Sequence, residues 1–368
     1  MSKSRLDRLN SLLRKSKLDG AVLNPGPTLT YLTGVRFHLM ERPVVLLVAP
    51  DRSPALVLPE LEMAKVGQIP YEVLPFPYPE DPLAWDAAFQ RAVQALNMDG
   101  KQIGLEPRSM RLLEFRYVKA AAPEAGFPDA SEALGELRLR KDSHEIEAMR
   151  KAVQIAQGAL TALLPQVKVG MTERDLAGEL VVQLLRHGSD SEMPFTPIVS
   201  AGPNSANPHA SPTERKIQRG DFMLFDWGAT FGGYISDLTR TYAIGEIEPE
   251  LKKIHSVVQE ANAAGCAAAR PGSPCSAVDA AARAVIEKAG YGRFFTHRTG
   301  HGIGMEVHED PYMRSDNAQI LEPGMAFTVE PGIYLPDRNG VRIEDNVVIT
   351  ESGADVLSDM PRDLSVLG

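Results

Sequence analysis

The chain has 368 residues, of which 43% are hydrophobic and 24% charged, and its formal net charge is −9. This length exceeds what one hydrophobic core usually holds, so we expect two domains. The acidic balance disfavours nucleic acid as a partner, and charged residues interrupt every apolar run that could form a signal peptide or a membrane span. Two cysteines, Cys266 and Cys275, are too few for a disulfide framework, so we expect a cytoplasmic protein without membrane contact.

The first third of the chain alternates helix-like and strand-like segments. An amphipathic pattern places Leu6, Leu9, Leu12 and Leu13 on one helical face. It is followed by the apolar AVL at residues 21–23, the turn-rich NPGPTLTYLTG, the strand-like PVVLLVAP and the segment LPELEMAKV. This alternation predicts an α/β domain. We place its end in a charged stretch, so that residues 1–135 form the first domain and residues 136–368 the second.

The second domain is predicted to begin with a capped helix, because Asp142 and Glu145 have the spacing of a capping pair. Glycines stand at both ends of residues 170–188 and again at both ends of residues 272–290. Each bracketed segment reads as a helix that follows another helix and precedes β-rich sequence. We therefore expect a duplicated unit of two helices and a sheet, with two halves that face one another.

Two pairs of acids lie in apolar strand-like sequence. FMLFDWGATFGGYISDLTRTYAI reads as two strands joined at a Gly-Gly turn, which places Asp226 and Asp237 opposite or nearly opposite each other. AFTVEPGIYL and GVRIEDNVVIT flank PDRNG, and place Glu330 and Glu344 at equal distances from its aspartate. Either pair alone is compatible with solvated acids on an exposed strand. Two pairs in one domain favour a metal site, because buried facing carboxylates need a compensating cation.

A further ligand candidate is His301, whose neighbours Gly300 and Gly302 allow close approach of other backbone. Four carboxylates and one histidine suffice to hold two divalent ions about 3.5 to 4 Å apart, as in hydrolytic two-metal sites. An oxygen-rich ligand set with one nitrogen favours Mn²⁺, with Co²⁺, Zn²⁺ and Fe²⁺ as alternatives.

At this point the motifs carry a resemblance. FDWGA, SDLTRT, HRTGHGIG, TVEPGIY and VRIEDN, in this order, resemble the pita-bread metallopeptidases, and PNSANPHAS resembles their Xaa-Pro branch. LNPGPTLTYLTGV resembles the N-terminal domain of prolidases and aminopeptidases P. The resemblance implies an α/β N-terminal domain followed by an α+β pita-bread catalytic domain with an internal pseudo-two-fold repeat. Methionine aminopeptidases typically lack so large an N-terminal domain, and creatinase does not keep the ligand set.

The resemblance also implies roles for individual residues. The family's metal ligands fall on Asp226, Asp237, His301, Glu330 and Glu344. Glu330 is the implied proton shuttle for a metal-bridged hydroxide that attacks the Xaa-Pro bond of short proline-containing peptides. The implied catalytic histidines and the residues near the substrate are His209, His308, His297, Tyr334 and Arg342.

Whether the enzyme accepts dipeptides or longer peptides depends on whether a cationic side chain binds the carboxylate of the prolyl residue. A dipeptidase must bind the carboxylate of the prolyl residue, whereas an aminopeptidase must leave that space open. Some prolidases use an arginine shortly after the histidine that corresponds to His308. This chain has Tyr312 there instead, and so departs from that resemblance. Arg42, in RFHLMERPVVLL, is the substitute that we consider, although it is also interpretable as a solvated loop charge paired with Glu41.

We expect an Xaa-Pro dipeptidase that forms a homodimer, in which the first domain caps the site of a neighbouring subunit. Three alternatives stay open. The chain could be an Xaa-Pro aminopeptidase that acts on longer peptides, a metal-free binding scaffold with the same fold, or a hydrolase of another C–N bond, as creatinase is.

Overall fold

The computed structural model describes residues 2–368, which divide into two compact units between Arg138 and Leu139. The sequence-based boundary, between residues 135 and 136, falls inside a helix that ends at Leu139. Within the described residues, no helix combines the length and the apolar character that a membrane span requires.

The first unit is an α/β domain around a five-stranded mixed sheet. Its helices are α1 (Ser2–Lys15), α2 (Pro27–Thr33), α3 (Met63–Val66), α4 (Trp85–Leu96), α5 (Leu112–Ala121) and α6 (Ser131–Leu139), which crosses the division. Its strands are β1 (Gly20–Leu23), β2 (Val45–Val48), β3 (Ala55–Pro59), β4 (Leu74–Tyr78) and β5 (Ile103–Leu105). They lie in the order β4-β3-β2-β1-β5, with β1–β5 and β3–β4 parallel. The predicted fold class of this domain is confirmed.

One segment of the first unit differs from its sequence-based description. The turn-rich NPGPTLTYLTG folds into helix α2 rather than into a series of turns. Pro27 occupies the first helical position, where its missing N–H costs no hydrogen bond. Gly34 ends the helix in the left-handed region, at φ 71°. The Pro and Gly residues that suggest turns therefore act as start and stop signals of a short helix.

The second unit contains two helix pairs and two larger sheets. Its helices are α7 (Ser143–Leu163), α8 (Glu173–Arg186), α9 (Pro249–Ala268) and α10 (Cys275–Lys288). Its strands are β6 (Ile198–Ala201), β7 (Phe222–Trp227), β8 (Thr230–Phe231), β9 (Tyr234–Ile235), β10 (Leu238–Ile244), β11 (Gly300–Gly302), β12 (Glu309–Met313), β13 (Ala326–Val329), β14 (Gly332–Leu335), β15 (Asn339–Arg342), β16 (Asp345–Ile349), β17 (Ala354–Val356) and β18 (Val366–Leu367).

Each of the two larger sheets of the second unit contains one of the two predicted hairpins. One sheet has the order β18-β10-β7-β6 and the other the order β12-β11-β13-β16-β17. Two ribbons, β8-β9 and β14-β15, extend the hairpins. Trp227 at the end of β7 is fully buried, and its indole N–H donates to the Ala156 carbonyl of α7 at 2.8 Å. This bond satisfies the polar end of a large core side chain, so the sheet is held against the helix layer.

The predicted capped helix and the predicted internal repeat are both present. Asp142 and Glu145 form a capping box at the start of α7. The glycines that bracket α8 and α10 all have positive φ, between 86° and 97°. Those that follow the helices, Gly188 and Gly290, end them at low steric cost. The order helix, helix, sheet occurs twice, first from α7 to β10 and then from α9 to β17.

Candidate metal centre

The first pair of acids lies on the hairpin formed by β7 to β10. Asp226 is in β7 and pairs with Thr239 of β10, so Asp237 is its diagonal neighbour rather than its direct partner. The turn is at Gly232 and Gly233, whose φ values are 59° and 81°. The position of the turn sets the register of the two strands. In this register Thr239 is opposite Asp226, and Asp237 lies two positions before Thr239. The diagonal arrangement still leaves the two carboxylates on neighbouring strands.

The second pair of acids lies directly opposed. Val329 pairs with Asp345, and Gly332 pairs with Arg342. Both pairings belong to one continuous register, in which Glu330 and Glu344 are opposite each other. The turn between the two ribbon strands includes Asp337 at φ 59°, in the left-handed region that aspartate tolerates better than most residues.

Thr239 joins the two hairpins. It forms a β-bridge with Glu344, and its hydroxyl donates to Glu344 Oε2 at 2.6 Å. A second link is reciprocal, because the Asp237 amide donates to Asn346 Oδ1 at 3.1 Å and Asn346 Nδ2 donates to the Asp237 carbonyl at 2.7 Å. These bonds bring all four acids of the two hairpins to one place.

His301 completes the cluster. It is 3% exposed, and its Nε2 lies 3.6 Å from Asp237 Oδ2 and 3.3 Å from Glu330 Oε1. A Cβ on Gly300 would meet Thr328 O at 1.8 Å, and one on Gly302 would meet Asp310 O at 2.2 Å. The two glycines therefore let β11 fit closely between its neighbouring strands, which carries the imidazole into the cluster.

The tautomer of His301 leaves its Nε2 without a proton. Nδ1 lies 3.2 Å from the Gly302 carbonyl, which can only accept, so Nδ1 carries the hydrogen. Burial lowers the pKa of His301 well below its ordinary value, so the ring is neutral. The lone pair of Nε2 then faces carboxylate oxygens. Acceptors that face acceptors in a buried site need a cation between them.

The acids themselves are electrostatically unsatisfied. Burial, and then the charge of the other carboxylates, raises the pKa of Asp237 and of Glu344 well above their ordinary values. Burial raises the pKa of Glu330 to about 7. Burial also raises the pKa of Asp226, against the opposing charge of Arg342, and its Oδ1 is buried without a hydrogen-bond partner. One guanidinium among four ionised acids leaves a charge of −4 + 1 = −3 in a buried site.

The residues present therefore fit divalent metal ions. Asp237, His301 and Glu344 each offer a ligand atom within 4.8 Å of the other two. Glu330 adds a carboxylate oxygen, Oε1, that lies 3.3 Å from His301 Nε2. Asp226 adds Oδ1, which is buried without a hydrogen-bond partner. Carboxylate oxygens with one imidazole nitrogen form a donor set suited to a first-row divalent ion.

Arg342 connects the cluster to a buried tyrosine and a histidine. Its Nη2 donates to Asp226 Oδ2, its Nε donates to Thr239 Oγ1 at 2.9 Å, and its Nη1 donates to the Tyr334 hydroxyl at 3.0 Å. The Tyr334 hydroxyl is also 2.8 Å from His297 Nε2. Arg342 thus contacts a proposed ligand and orders the residues around it.

The donor and the acceptor of each hydrogen bond between Arg342, Tyr334 and His297 can be assigned from the groups at the two ends of this series. His297 Nδ1 lies 2.7 Å from the Arg298 carbonyl and must donate to it. Burial lowers the pKa of His297 to about 4, so its Nε2 is an acceptor, and the Tyr334 hydroxyl donates to it. In this state His297 has no free ring nitrogen, and it serves the cavity as a wall rather than as a hydrogen-bonding group.

The cluster opens into a cavity of about 690 Å³. Exposed His209, in the loop after β6, and exposed His308, before β12, both line it. The His308 ring stands edge-on to His301, with centroids 4.3 Å apart. The other lining residues are Phe195, Thr196, Ile198, Pro208, Ala210, Ser211, Pro212, Asp226, Asp237, His297, Arg298, His301, Val307, Glu330, Arg342 and Glu344.

The sequence-based expectation of a cation for the substrate carboxylate concerns Arg42, and the pairing with Glu41 that we gave as its alternative is present. The role of Arg42 in the site of a neighbouring subunit stays a prediction. Arg42 does not line the cavity, and its guanidinium is bound by Glu41 and by Glu80, the latter at 2.7 and 2.9 Å. Arg298 does line the cavity, and its guanidinium lies 4.5 Å from the centre of the Tyr312 ring. The signal was available in the sequence, because Arg298 belongs to the same HRTGHGIG motif as His301.

Comparisons with known proteins agree with the geometry. Residues 147–351 match metallopeptidase family M24, and residues 5–140 match the creatinase/prolidase N-terminal domain. The Xaa-Pro dipeptidase of Lactobacillus helveticus is 36% identical over 98% of this chain and 98% of its own length.

Solved structures of whole chains are similar as well. The prolidase of Thermococcus sibiricus has a TM-score of 0.94 at 34% identity, with 100% of this chain and 99% of that chain covered. The X-Pro aminopeptidase of Thermotoga maritima has a TM-score of 0.86 at 30% identity, covering 98% of this chain and 99% of that one. The similarity extends over both units, and it includes both a prolidase and an X-Pro aminopeptidase.

Proposed function

Because this chain belongs to metallopeptidase family M24 and is of the prolidase type, we propose that it hydrolyses Xaa-Pro dipeptides with two divalent metal ions. The observation that carries the proposal is the buried cluster of four acids around a neutral histidine. Such a cluster is unfavourable in itself, since each buried ionised acid costs several kcal/mol without a compensating partner. Two divalent ions would offset that cost.

The five residues proposed as ligands are Asp226, Asp237, His301, Glu330 and Glu344. When bound, the ions supply a water that ionises near neutral pH and a Lewis acid for the scissile carbonyl. Glu330 is the proposed proton shuttle. Its carboxylate lies 3.3 Å from His301 Nε2 inside the cluster, so in the proposed mechanism it takes a proton from the attacking water and returns it to the leaving nitrogen.

The cavity residues would orient the substrate. His209 and His308 line the cavity and are exposed to it, so their ring nitrogens are available to the peptide. The nitrogen of an Xaa-Pro bond carries no hydrogen, so this bond lacks the N–H donor to which a general peptidase can hydrogen-bond. We assign to His297, held by Tyr334, the part of the wall against which an apolar proline ring can pack.

We propose that Arg298, and not Arg42, binds the carboxylate of the prolyl residue. Arg298 is a cavity-lining cation that the tyrosine ring supports from one side, whereas two glutamates already bind Arg42. A positive group in the wall of the cavity favours a free carboxylate over a continuing peptide chain. The alternative function, an aminopeptidase that acts on longer peptides, is supported by the similarity to the X-Pro aminopeptidase structure.

Three finer features complete the proposal. We propose Mn²⁺ as the metal, because the donor set is rich in oxygen. We propose a homodimer, because the loop before β2 exposes Leu39 and Met40, each 50% accessible. We propose a reducing, cytoplasmic location, because Cys266 and Cys275 are both free thiols.

The test is an assay of a dipeptide and a tripeptide that share the same Xaa-Pro bond, before and after metal removal. We expect faster turnover of the dipeptide, loss of activity on exhaustive chelation, and recovery on addition of Mn²⁺. Tripeptide turnover equal to or above dipeptide turnover would identify an aminopeptidase. Activity that survives chelation would indicate metal-free chemistry of the creatinase kind, and protein purified without chelator but lacking stoichiometric metal would indicate a scaffold.

A further inference from the structure

Glu173 is a fully buried carboxylate outside the metal centre. It is the first residue of α8, next to the capping residue Thr172. Its two oxygens accept hydrogen bonds from the Ala201 amide at 2.7 Å, from Asn204 Nδ2 at 3.0 and 3.1 Å, and from both the amide and the hydroxyl of Thr213 at 3.0 and 2.6 Å. All of these donors belong to residues 201–213.

Residues 202–213 form the loop that carries His209, which we call the histidine loop. Five consecutive members of it, Pro208 to Pro212, line the cavity. The His209 side chain is exposed, so packing of the imidazole itself does not hold it in place. Its backbone amide donates to Asn207 Oδ1 at 3.1 Å, and the Asn207 amide donates to the Asn204 carbonyl at 3.1 Å. A short chain of bonds therefore runs from Glu173 through Asn204 to His209.

The middle of the histidine loop is attached separately to the strand that carries Arg342. The Gly340 amide donates to Ser205 Oγ at 2.8 Å. A Cβ on Gly340 would meet Ser205 O at 2.0 Å, so only glycine permits this approach. The loop thus contacts β15 through Ser205. Glu173 binds Ala201, which precedes the loop, and Thr213, which ends it.

We infer that Glu173 is a positioning residue, which holds His209 in the cavity by fixing both ends of the histidine loop. The physical reason is that a buried carboxylate must be fully hydrogen-bonded. Four N–H and O–H groups meet this requirement only when Ala201 and Thr213 are both close to the start of α8. The inference rests on the proposed function, in which His209 contacts the substrate.

The test is a double-mutant cycle between Glu173→Gln and His209→Ala. The glutamine amide would place hydrogens against the N–H donors of the loop, so we expect kcat/KM for an Xaa-Pro dipeptide to fall on the order of 10- to 100-fold. Because the loss acts through His209, we expect the double variant to be no worse than His209→Ala alone, within about twofold. Metal content should stay at the wild-type value in all three variants.

Hydrogen exchange supplies a readout that does not depend on activity. The amides of Ala201 and Thr213 should exchange faster in Glu173→Gln and at the wild-type rate in His209→Ala. The matched control is Glu114→Gln, which alters another fully buried carboxylate, bound by Arg111 in the first unit; it should change neither the exchange nor the kinetics.

Two results would overturn the inference, namely losses of kcat/KM that multiply in the double variant, or unchanged exchange of the histidine loop in Glu173→Gln. If the wild-type protein cleaves no Xaa-Pro peptide, the proposed function fails, while exchange still decides whether Glu173 orders the loop. If Glu173→Gln does not fold, Thr213→Val replaces it in the cycle, because it removes one hydroxyl donor and keeps the carboxylate.

Discussion

Asp237 is the acid on which the repulsion of the cluster concentrates, since its pKa is raised first by burial and then by the charges of Glu344, Asp226 and Glu330. Asp237→Asn keeps the shape of the side chain and removes the charge. We expect the bound metal to fall below two ions per chain and kcat/KM to fall by about 100-fold or more. In chelator, the same variant should melt at a higher temperature than wild type, because one repelling charge is gone.

Elemental analysis and melting curves with and without chelator check this prediction together. Glu114→Gln serves again as the control, and it should retain both the metal and the activity. Two ions per chain in Asp237→Asn would contradict the assignment of Asp237 as a ligand.

Arg298 and Arg42 can be told apart by substrate length. Charge-assisted hydrogen bonds to a carboxylate contribute about 1.5 to 3 kcal/mol, so Arg298→Gln should raise KM for an Xaa-Pro dipeptide on the order of 10- to 100-fold. The corresponding tripeptide should be far less affected, because its prolyl carboxylate is part of an amide. Tyr312→Phe keeps the ring under the guanidinium and should change little.

Steady-state kinetics of the two peptides with Arg298→Gln, Arg42→Gln and Tyr312→Phe provide the measurement. If Arg42→Gln produced the dipeptide-specific loss and Arg298→Gln did not, Arg42 would be the cation that binds the carboxylate.

Strand β11 can enter the cluster only because its two glycines have no side chains. A Cβ on Gly302 would overlap Asp310 O and C at 2.2 and 2.3 Å, and backbone cannot yield as a flexible side chain does. We expect Gly302→Ala to destabilise the protein by about 3 kcal/mol or more and to reduce metal binding, because His301 moves with the strand.

A glycine with space around it is the matched control for this element. Gly178 is exposed inside helix α8, and a Cβ there meets nothing within 4 Å. Gly178→Ala should stabilise the protein by about 0.5 to 1 kcal/mol through helix propensity and reduced freedom of the unfolded chain. Denaturant unfolding of both variants measures the contrast, and a Gly302→Ala protein as stable as wild type would contradict the close approach of β11.

At the scale of the whole molecule, the acid cluster makes the stability of the metal-free protein depend on pH. Folding raises the pKa of Glu330 from an ordinary 4.5 to about 7, and it raises those of Asp237 and Glu344 well above their ordinary values. The folded state therefore binds more protons than the unfolded state over this range. Its stability falls as pH rises through the folded-state pKa values.

Histidines oppose this effect at lower pH. Burial lowers the pKa of His255 and of His297 from 6.5 to about 4, which increases stability as pH rises toward 6.5. As pH rises past 6.5 these rings become neutral in the unfolded state as well, and the acids then dominate the pH dependence. We thus expect the melting temperature in chelator to fall from pH 6.5 to 8, and saturating Mn²⁺ to remove the fall, because metal ligands are already deprotonated. A flat or rising profile in chelator would contradict the electrostatic account.

The sequence by itself determined what depends on short separations along the chain. A tight turn defines the register of its two strands, so the spacing from the turn predicted that Glu330 and Glu344 face each other. The same reasoning predicted Asp226 and Asp237 only to within two positions, because the spacing from the Gly-Gly turn is not equal on its two sides. Ordered motifs also predicted the family and the fold, which the comparisons confirm.

Only the tertiary structure decided which distant groups meet. Three contacts join residues that lie tens of positions apart or more, namely the bond from Thr239 to Glu344, the bond between Tyr334 and His297, and the bonds from Thr213 to Glu173. Such contacts depend on how helices and sheets pack, and local patterns carry no information about that packing. The surroundings of Arg298 and Arg42 are information of the same kind, because charge and residue type are identical and only the groups around each guanidinium differ.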